Sequence, residues 1–241
     1  MGEPRALPPG QRVHRGPLPR FGLDAYMRRR AVTPPDFRLR IDGDVEQALE
    51  LTADEVFAVR SELLSDLHCV TTWTAVGLRW SGTPFRAFWE AVVVRRARPR
   101  AGVAYVRVRG LDGYAATIPL EEALHEDAFL ADRLHDRPLG HHGAPLRLVL
   151  PQLYGYKSVK HVRRIEVAPT PLPPSAGRLL GHPRGRVDLE ERSGVGAQRF
   201  FRALYRLLLP LFLWRARSLA QSTKRPGSRA KVPAHSSEQK K

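Results

Sequence analysis

Cysteine is almost missing from this chain: Cys69 is the only one in 241 residues. A lone thiol cannot close an internal disulfide. The clustered cysteines of iron–sulfur centres, haem attachment and structural zinc sites are absent too. No long apolar run is present either. The uncharged stretch 207–214 falls far short of the roughly 20 residues that cross a bilayer. The opening Met1-Gly2-Glu3-Pro4-Arg5-Ala6-Leu7-Pro8-Pro9 has no apolar signal-peptide core, and no twin-arginine leader precedes an apolar stretch. There is no internal repeat. These absences, with a single reduced thiol, lead us to expect a cytoplasmic location, with peripheral contact at a membrane surface as an extension of it.

Charge is plentiful but uneven. The net charge of +16 divides into +6 for residues 1–40, −1 for 41–177 and +11 for 178–241. The central body is balanced and the excess belongs to the flanks, so nucleic acid is not an expected partner.

Composition shifts divide the chain into four parts. Residues 1–36 form an extended basic arm rich in Pro, Gly and Arg, and 37–168 form the body. Residues 169–217 form a basic extension with an apolar helix, and 218–241 a disordered basic tail. Within the body, alternation over 37–41 before Asp42-Gly43 predicts a strand. The spacing of Thr52 and Glu55 predicts a capping box and a helix to about Leu63. Thr83-Pro84 predicts a cap and first helical position for a helix from Phe85 to about Val94. Strands are expected over 103–109, 114–120, 147–150 and 159–167, and a helix over 121–134. Without regular βαβ alternation, the class is α+β. Residues 200–217 predict a helix that packs on the body; an interfacial helix touching a membrane surface is the sharper alternative.

Cys69 lies in Asp66-Leu67-His68-Cys69-Val70-Thr71-Thr72-Trp73. The simplest role for such a residue is a small buried hydrophobe. Its chemical roles are a nucleophile paired with His142 or His161, a redox sensor, or a metal ligand. A thiolate suits a soft or high-valent transition metal. One Cys beside scattered histidines does not make a zinc site, and nothing around it matches a peptidase signature. A cofactor that needs only one protein sulfur fits better.

Several segments then fall in a recognisable order: 41–45, Leu67-His68-Cys69-Val70 with Trp73, Trp80-Ser81-Gly82-Thr83-Pro84, Gly110-Leu111-Asp112, His142-Gly143-Ala144-Pro145-Leu146-Arg147 and Gly155-Tyr156-Lys157-Ser158-Val159-Lys160. From about Phe37 to Val167 the chain resembles the molybdopterin-binding domain of the sulfite oxidase family, which includes the bacterial methionine-sulfoxide reductase catalytic subunit. The resemblance implies mixed sheets with short helices, a molybdenum–molybdopterin cofactor and Cys69 as both metal ligand and catalytic residue. By the same resemblance Asp112, His142 and Arg147 contact the pterin. Gly155, Lys157, Ser158, Val159 and Lys160 wrap its phosphate. The chemistry of each is coherent, since a planar guanidinium can clamp an oxygen pair and an ammonium can act as a point charge.

The resemblance has limits. No immunoglobulin-like dimerisation domain is expected after residue 167, and no Arg arrangement marks a sulfite pocket. The family's N-terminal cofactor segment is only faintly echoed by Arg20-Phe21-Gly22, and His161 stands where Trp often follows the final Lys. The activity implied is oxygen-atom transfer at a Cys-ligated oxo-molybdenum centre, on a small unidentified substrate, with a separate electron-transfer partner. The alternatives are a non-enzymatic membrane- or nucleic-acid-associated protein and a cysteine hydrolase.

Overall fold

Two mixed sheets carry the molecule, and the turns between their strands converge on one side. The computed structural model describes residues 6–19, 22–29, 31–177 and 179–222. Arg20 and Phe21 of the expected N-terminal cofactor segment, and the tail beyond Ser222, lie outside the described residues. In chain order the elements begin β1 (Arg12–Val13), α1 (Asp24–Met27), β2 (Leu39–Gly43), β3 (Leu49–Leu51), α2 (Ala53–Val56), β4 (Ser61–His68), β5 (Trp73–Pro84) and α3 (Phe85–Phe88). They continue with β6 (Tyr105–Gly110), β7 (Ala115–Pro119), α4 (Leu120–Ala123), β8 (Phe129–Leu134), β9 (Arg137–Pro138), β10 (Arg147–Val149), β11 (Val162–Ala168) and α5 (Gln198–Ser222).

One sheet has the order β3-β2-β11-β6-β7, with β2 and β11 parallel and the other pairs antiparallel. The other runs β1-β5-β8-β10, with β4 added to β5 and β9 to β8. Leu39, Ile41, Val106, Val108, Ile118 and Ile165 are fully buried on the first sheet, as period-2 alternation requires. Phe85, Phe88, Trp89 and Val93 pack into the same core, from α3 and the π-helix Trp89–Ala97 that continues it. The expected helix from Phe85 therefore forms and runs past Val94. Thr83 lies within β5 rather than capping, and Pro84, the last residue of that strand, takes the N-cap position.

Two expected helices are corrected. The capping box does form: Thr52 Oγ1 accepts from Glu55 N at 3.2 Å, and Glu55 Oε2 accepts from Thr52 N at 2.8 Å. Yet α2 ends at Val56, and the chain from Ser61 joins β4 instead of staying helical to Leu63. Over 121–134 only the single turn α4 is helical, and 129–134 becomes β8. There β8 lies between β5 and β10, burying Phe129, Leu130 and Ala131. Two neighbouring strands satisfy its backbone, and tertiary pairing overrides the local helical spacing.

The flanks are tied to the body. Strand β1 pairs in parallel with the start of β5, Arg12 beside Trp73. After β11 the chain returns across the site, burying Val187, Arg192, Ser193, Phe201 and Tyr205. Helix α5 runs through Ser222, beyond the expected start of the tail at 218.

Candidate cofactor site

Cys69 opens the tight connection between β4 and β5. Its N–H donates to Trp73 O at 2.8 Å, and Thr72 N donates back to Cys69 O at 3.1 Å. Thr72 sits at φ 75°, a left-handed conformation that a β-branched residue adopts only when its surroundings impose it. Four long-range hydrogen bonds do so. Gln11 Nε2 donates to Cys69 O at 3.1 Å and Arg12 N to Thr72 O at 3.1 Å. Arg192 Nη1 donates to Val70 O at 2.6 Å and Gly155 N to His68 O at 2.7 Å.

The thiol faces a cavity of about 470 Å³. Its walls come from the β4–β5 and β6–β7 turns, the β10–β11 connection, residues 18–19 and 22–29, and α5. Of the residues the sequence singled out, Cys69, Asp112, Arg147, Gly155, Ser158 and Lys160 line it. Burial pushes the Cys69 thiol up, and Thr71, Arg192 and Lys160 oppose this only in part. Its hydrogen bond is with Thr71 Oγ1, at 3.1 Å.

Arg147 is the most informative neighbour. Only 2% of the residue is exposed, on a strand whose other side chains are core. Nη1 donates to His142 O at 2.8 Å, and the guanidinium lies 5.1 Å from the Trp80 ring centroid. Its Nε has no acceptor, and no carboxylate pairs with it among the described residues. Burial pushes it down to about 10. A buried cation with an unused donor at a cavity wall is a place for an anion. Another part of the wall is also polar: Asp112 Oδ1 accepts from Tyr114 N at 3.0 Å, and Asp112 O accepts from Arg29 Nη1 at 3.2 Å.

Three expected site residues are not brought to the cavity. His142 offers its carbonyl to Arg147 while His141 takes the lining position, the two imidazole centroids being 4.0 Å apart. Lys157 is turned away and buried, donating to Thr117 O at 2.7 Å and to Pro183 O. That burial pushes its ammonium down to about 7. Val159 is fully buried in the core, and its carbonyl accepts from Leu148 N at 2.9 Å. Ser158 Oγ accepts from Leu150 N at 3.1 Å, which anchors the connection under Gly155.

Sequence reasoning passed over Gln11 and Arg192 altogether, and it gave Tyr156 no role of its own within the 155–160 segment. Tyr156 O accepts from Tyr114 Oη at 2.6 Å, joining the two loops that face Cys69. His161, at φ 56°, donates from Nδ1 to Ala144 O at 2.6 Å and stands beside Lys160 in the wall. Tyr156 and His161 had a local signal, within and beside the 155–160 segment, whereas Gln11 and Arg192 had none.

One thiol and one buried guanidinium without a carboxylate partner, sharing a cavity with further polar groups, suit an anionic group held at a single cysteine. Residues 26–175 match the family model described as oxidoreductase molybdopterin binding domain, and the chain belongs to that family. Molybdopterin is accordingly its cofactor. The chain is 33% identical over 132 residues to the uncharacterized oxidoreductase YuiH of Bacillus subtilis, covering 54% of this chain and 64% of that protein. It is 29% identical over 195 residues to the protein-methionine-sulfoxide reductase catalytic subunit MsrP of Xanthomonas campestris, covering 68% and 59% respectively. Thus the chain spans about 60% of the length of these relatives. The fold resembles that of the sulfane dehydrogenase SoxCD of Paracoccus pantotrophus, with TM-score 0.52, 22% identity, and 65% of this chain and 46% of that one covered. The sulfite oxidase-type fold expected from the sequence is the fold observed.

The donor set fits the group. Cys69 is available as one sulfur ligand, and Arg147 lacks the anion that a pterin phosphate or a pterin oxygen would supply. Among the described residues no group of three or more His, Cys, Asp or Glu side chains gathers as a metal site, and a one-sulfur centre needs none.

Proposed function

We propose that the protein is a molybdenum-dependent oxidoreductase acting on a small substrate and exchanging electrons with a separate partner. The observation that carries this reading is the single thiol, Cys69, sharing one cavity with the buried, unpaired guanidinium of Arg147. When bound, the molybdenum–molybdopterin group supplies two-electron oxygen-atom transfer. The chain's own residues bind and orient. Cys69 anchors the metal, held in place by the four hydrogen bonds to its loop. Arg147 and Lys160 meet negative charge, and Asp112 accepts from N–H groups. Trp73, only 4% exposed, and Leu67 exclude water beneath the thiol.

A cysteine hydrolase is a poorer reading. Cys69 bonds to a hydroxyl rather than an imidazole, and burial raises the thiol instead of activating it. The cytoplasmic location belongs to this proposal and rests on the solitary cysteine. Elemental analysis tests the function. Protein purified from a host that makes molybdopterin should carry near-stoichiometric molybdenum, and Cys69→Ser should lose it while keeping its circular dichroism spectrum. Folded parent protein without molybdenum or extractable pterin would refute the reading.

A further inference from the structure

Helix α5 carries apolar side chains on two faces, one set against the body and the other exposed to solvent. Phe201 and Tyr205 are each 7% exposed against the body; Tyr205 and Phe212 line the cavity, and Leu209 packs beside the cluster around Trp73. On the other side Phe200, Leu207, Leu211 and Trp214 are 62%, 77%, 52% and 64% exposed. At 3.6 residues per turn these four fall within an arc of about 60°. A helix of a globular protein ordinarily shows polar residues on that face.

The flanks of this stripe are positive. Arg199 and Arg206 follow one edge and Arg215 the other, all exposed. Among the described residues neither Arg199 nor Arg206 has a carboxylate partner. Residues 192–237 contain ten Lys or Arg and no acid. A continuous apolar stripe bordered by arginines complements a surface that is negative outside and apolar beneath. No described helix is long and apolar enough to cross a membrane, so α5 would lie on such a surface rather than span it.

We propose that α5 docks the protein on an anionic lipid surface, with Phe200, Leu207, Leu211 and Trp214 entering the headgroup boundary and the flanking arginines meeting lipid phosphates. Leu211 also lines the cavity, so the docked face lies beside the cavity mouth. The inference stands on α5 alone and does not depend on the cofactor.

Trp73, Trp80 and Trp89 are 4%, 0% and 6% exposed, which leaves Trp214 as the tryptophan positioned to report docking. The full-length protein should co-sediment with vesicles of phosphatidylglycerol and phosphatidylcholine, and its tryptophan emission should shift to the blue. Trp214→Phe should abolish the shift. Leu207→Glu, on the exposed face, should weaken binding by about tenfold or more, and Arg199→Gln and Arg206→Gln by about fivefold each. Molybdenum content should be unchanged in all of them, which separates failure of this inference from failure of the proposed function. Equal binding to pure phosphatidylcholine, or binding untouched by Leu207→Glu because the basic tail suffices, would overturn the proposal. So would concentration-dependent dimers in sedimentation velocity that Leu207→Glu dissociates, since the stripe would then be covered by a second copy.

Discussion

Replacing Arg147 with methionine should leave the stability of the cofactor-free protein nearly unchanged while removing its ability to retain the cofactor. Burial holds Arg147 at about 10, below its value in the unfolded chain. At pH 7 the side chain is protonated in both states, so the cost of burying the charge is fully present and is relieved only as pH rises through about 10. Each tenfold change in proton affinity is worth about 1.4 kcal/mol, which makes that cost about 3 kcal/mol. Methionine would forfeit the charge-assisted hydrogen bond to His142 O, worth about 1.5 kcal/mol, and the desolvated contact with Trp80, worth about 2 kcal/mol. The two sides nearly cancel, and the net expectation is a change of no more than about 1 kcal/mol, or a shift in Tm within about 2–4 °C for a chain of this size. Urea titration of cofactor-free parent and variant measures it, with molybdenum analysis of the protein made in a molybdopterin-producing host as the second readout. A loss of more than about 2 kcal/mol in the cofactor-free variant would refute the view that this guanidinium is kept for an anion rather than for the fold.

Arg192, fully buried between Val70 O, Pro9 O and Glu190, should behave in the opposite way: Arg192→Met should destabilise the protein by about 3 kcal/mol, read by urea titration. It should also expose 190–215 to limited proteolysis, because the tie between the C-terminal segment and the Cys69 loop is gone. At Gly82 a Cβ would stand 2.0 Å from Leu130 O, so Gly82→Ala must push β5 and β8 apart; we expect a drop of at least about 3 kcal/mol or insoluble protein, read from soluble yield and Tm. Burial raises the Asp42 carboxyl, but the guanidiniums of Arg164 and Arg40 together outweigh it and hold the group below the usual carboxylate range. Its contribution is therefore present above the unfolded pKa and is lost as pH falls through the folded one. Stability curves between pH 6 and about pH 2 should show a shallower acid decline in Asp42→Asn than in the parent.

Local features of the chain were legible where the chemistry is local. The capping box at Thr52 and Glu55 forms as its spacing requires, and the alternation of residues 37–41 produces a strand with Leu39 and Ile41 inward. The order of the segments around Cys69, Asp112, Arg147 and Lys160 was sufficient to place all four around one cavity. Other parts misled. The capping box marks where a helix starts but carries no information about where it stops, and β4 claims the chain at Ser61. Helical spacing over 121–134 is compatible with a strand once β5 and β10 are available on either side.

By itself the sequence determined that one thiol is available, that the body is electrically balanced and that positive charge gathers on the flanks. Those are properties of composition, and folding cannot alter them. Only the tertiary structure decided that His141 rather than His142 faces the cavity and that Lys157 serves two carbonyls instead of a phosphate. It alone brought Arg192 to Val70, 122 residues away along the chain. Adjacent residues of one motif share a sequence signal but point in different directions, and a contact across so long a loop leaves no local trace. Which side chain meets Cys69 is therefore set by how the sheets, the arm and α5 close around it.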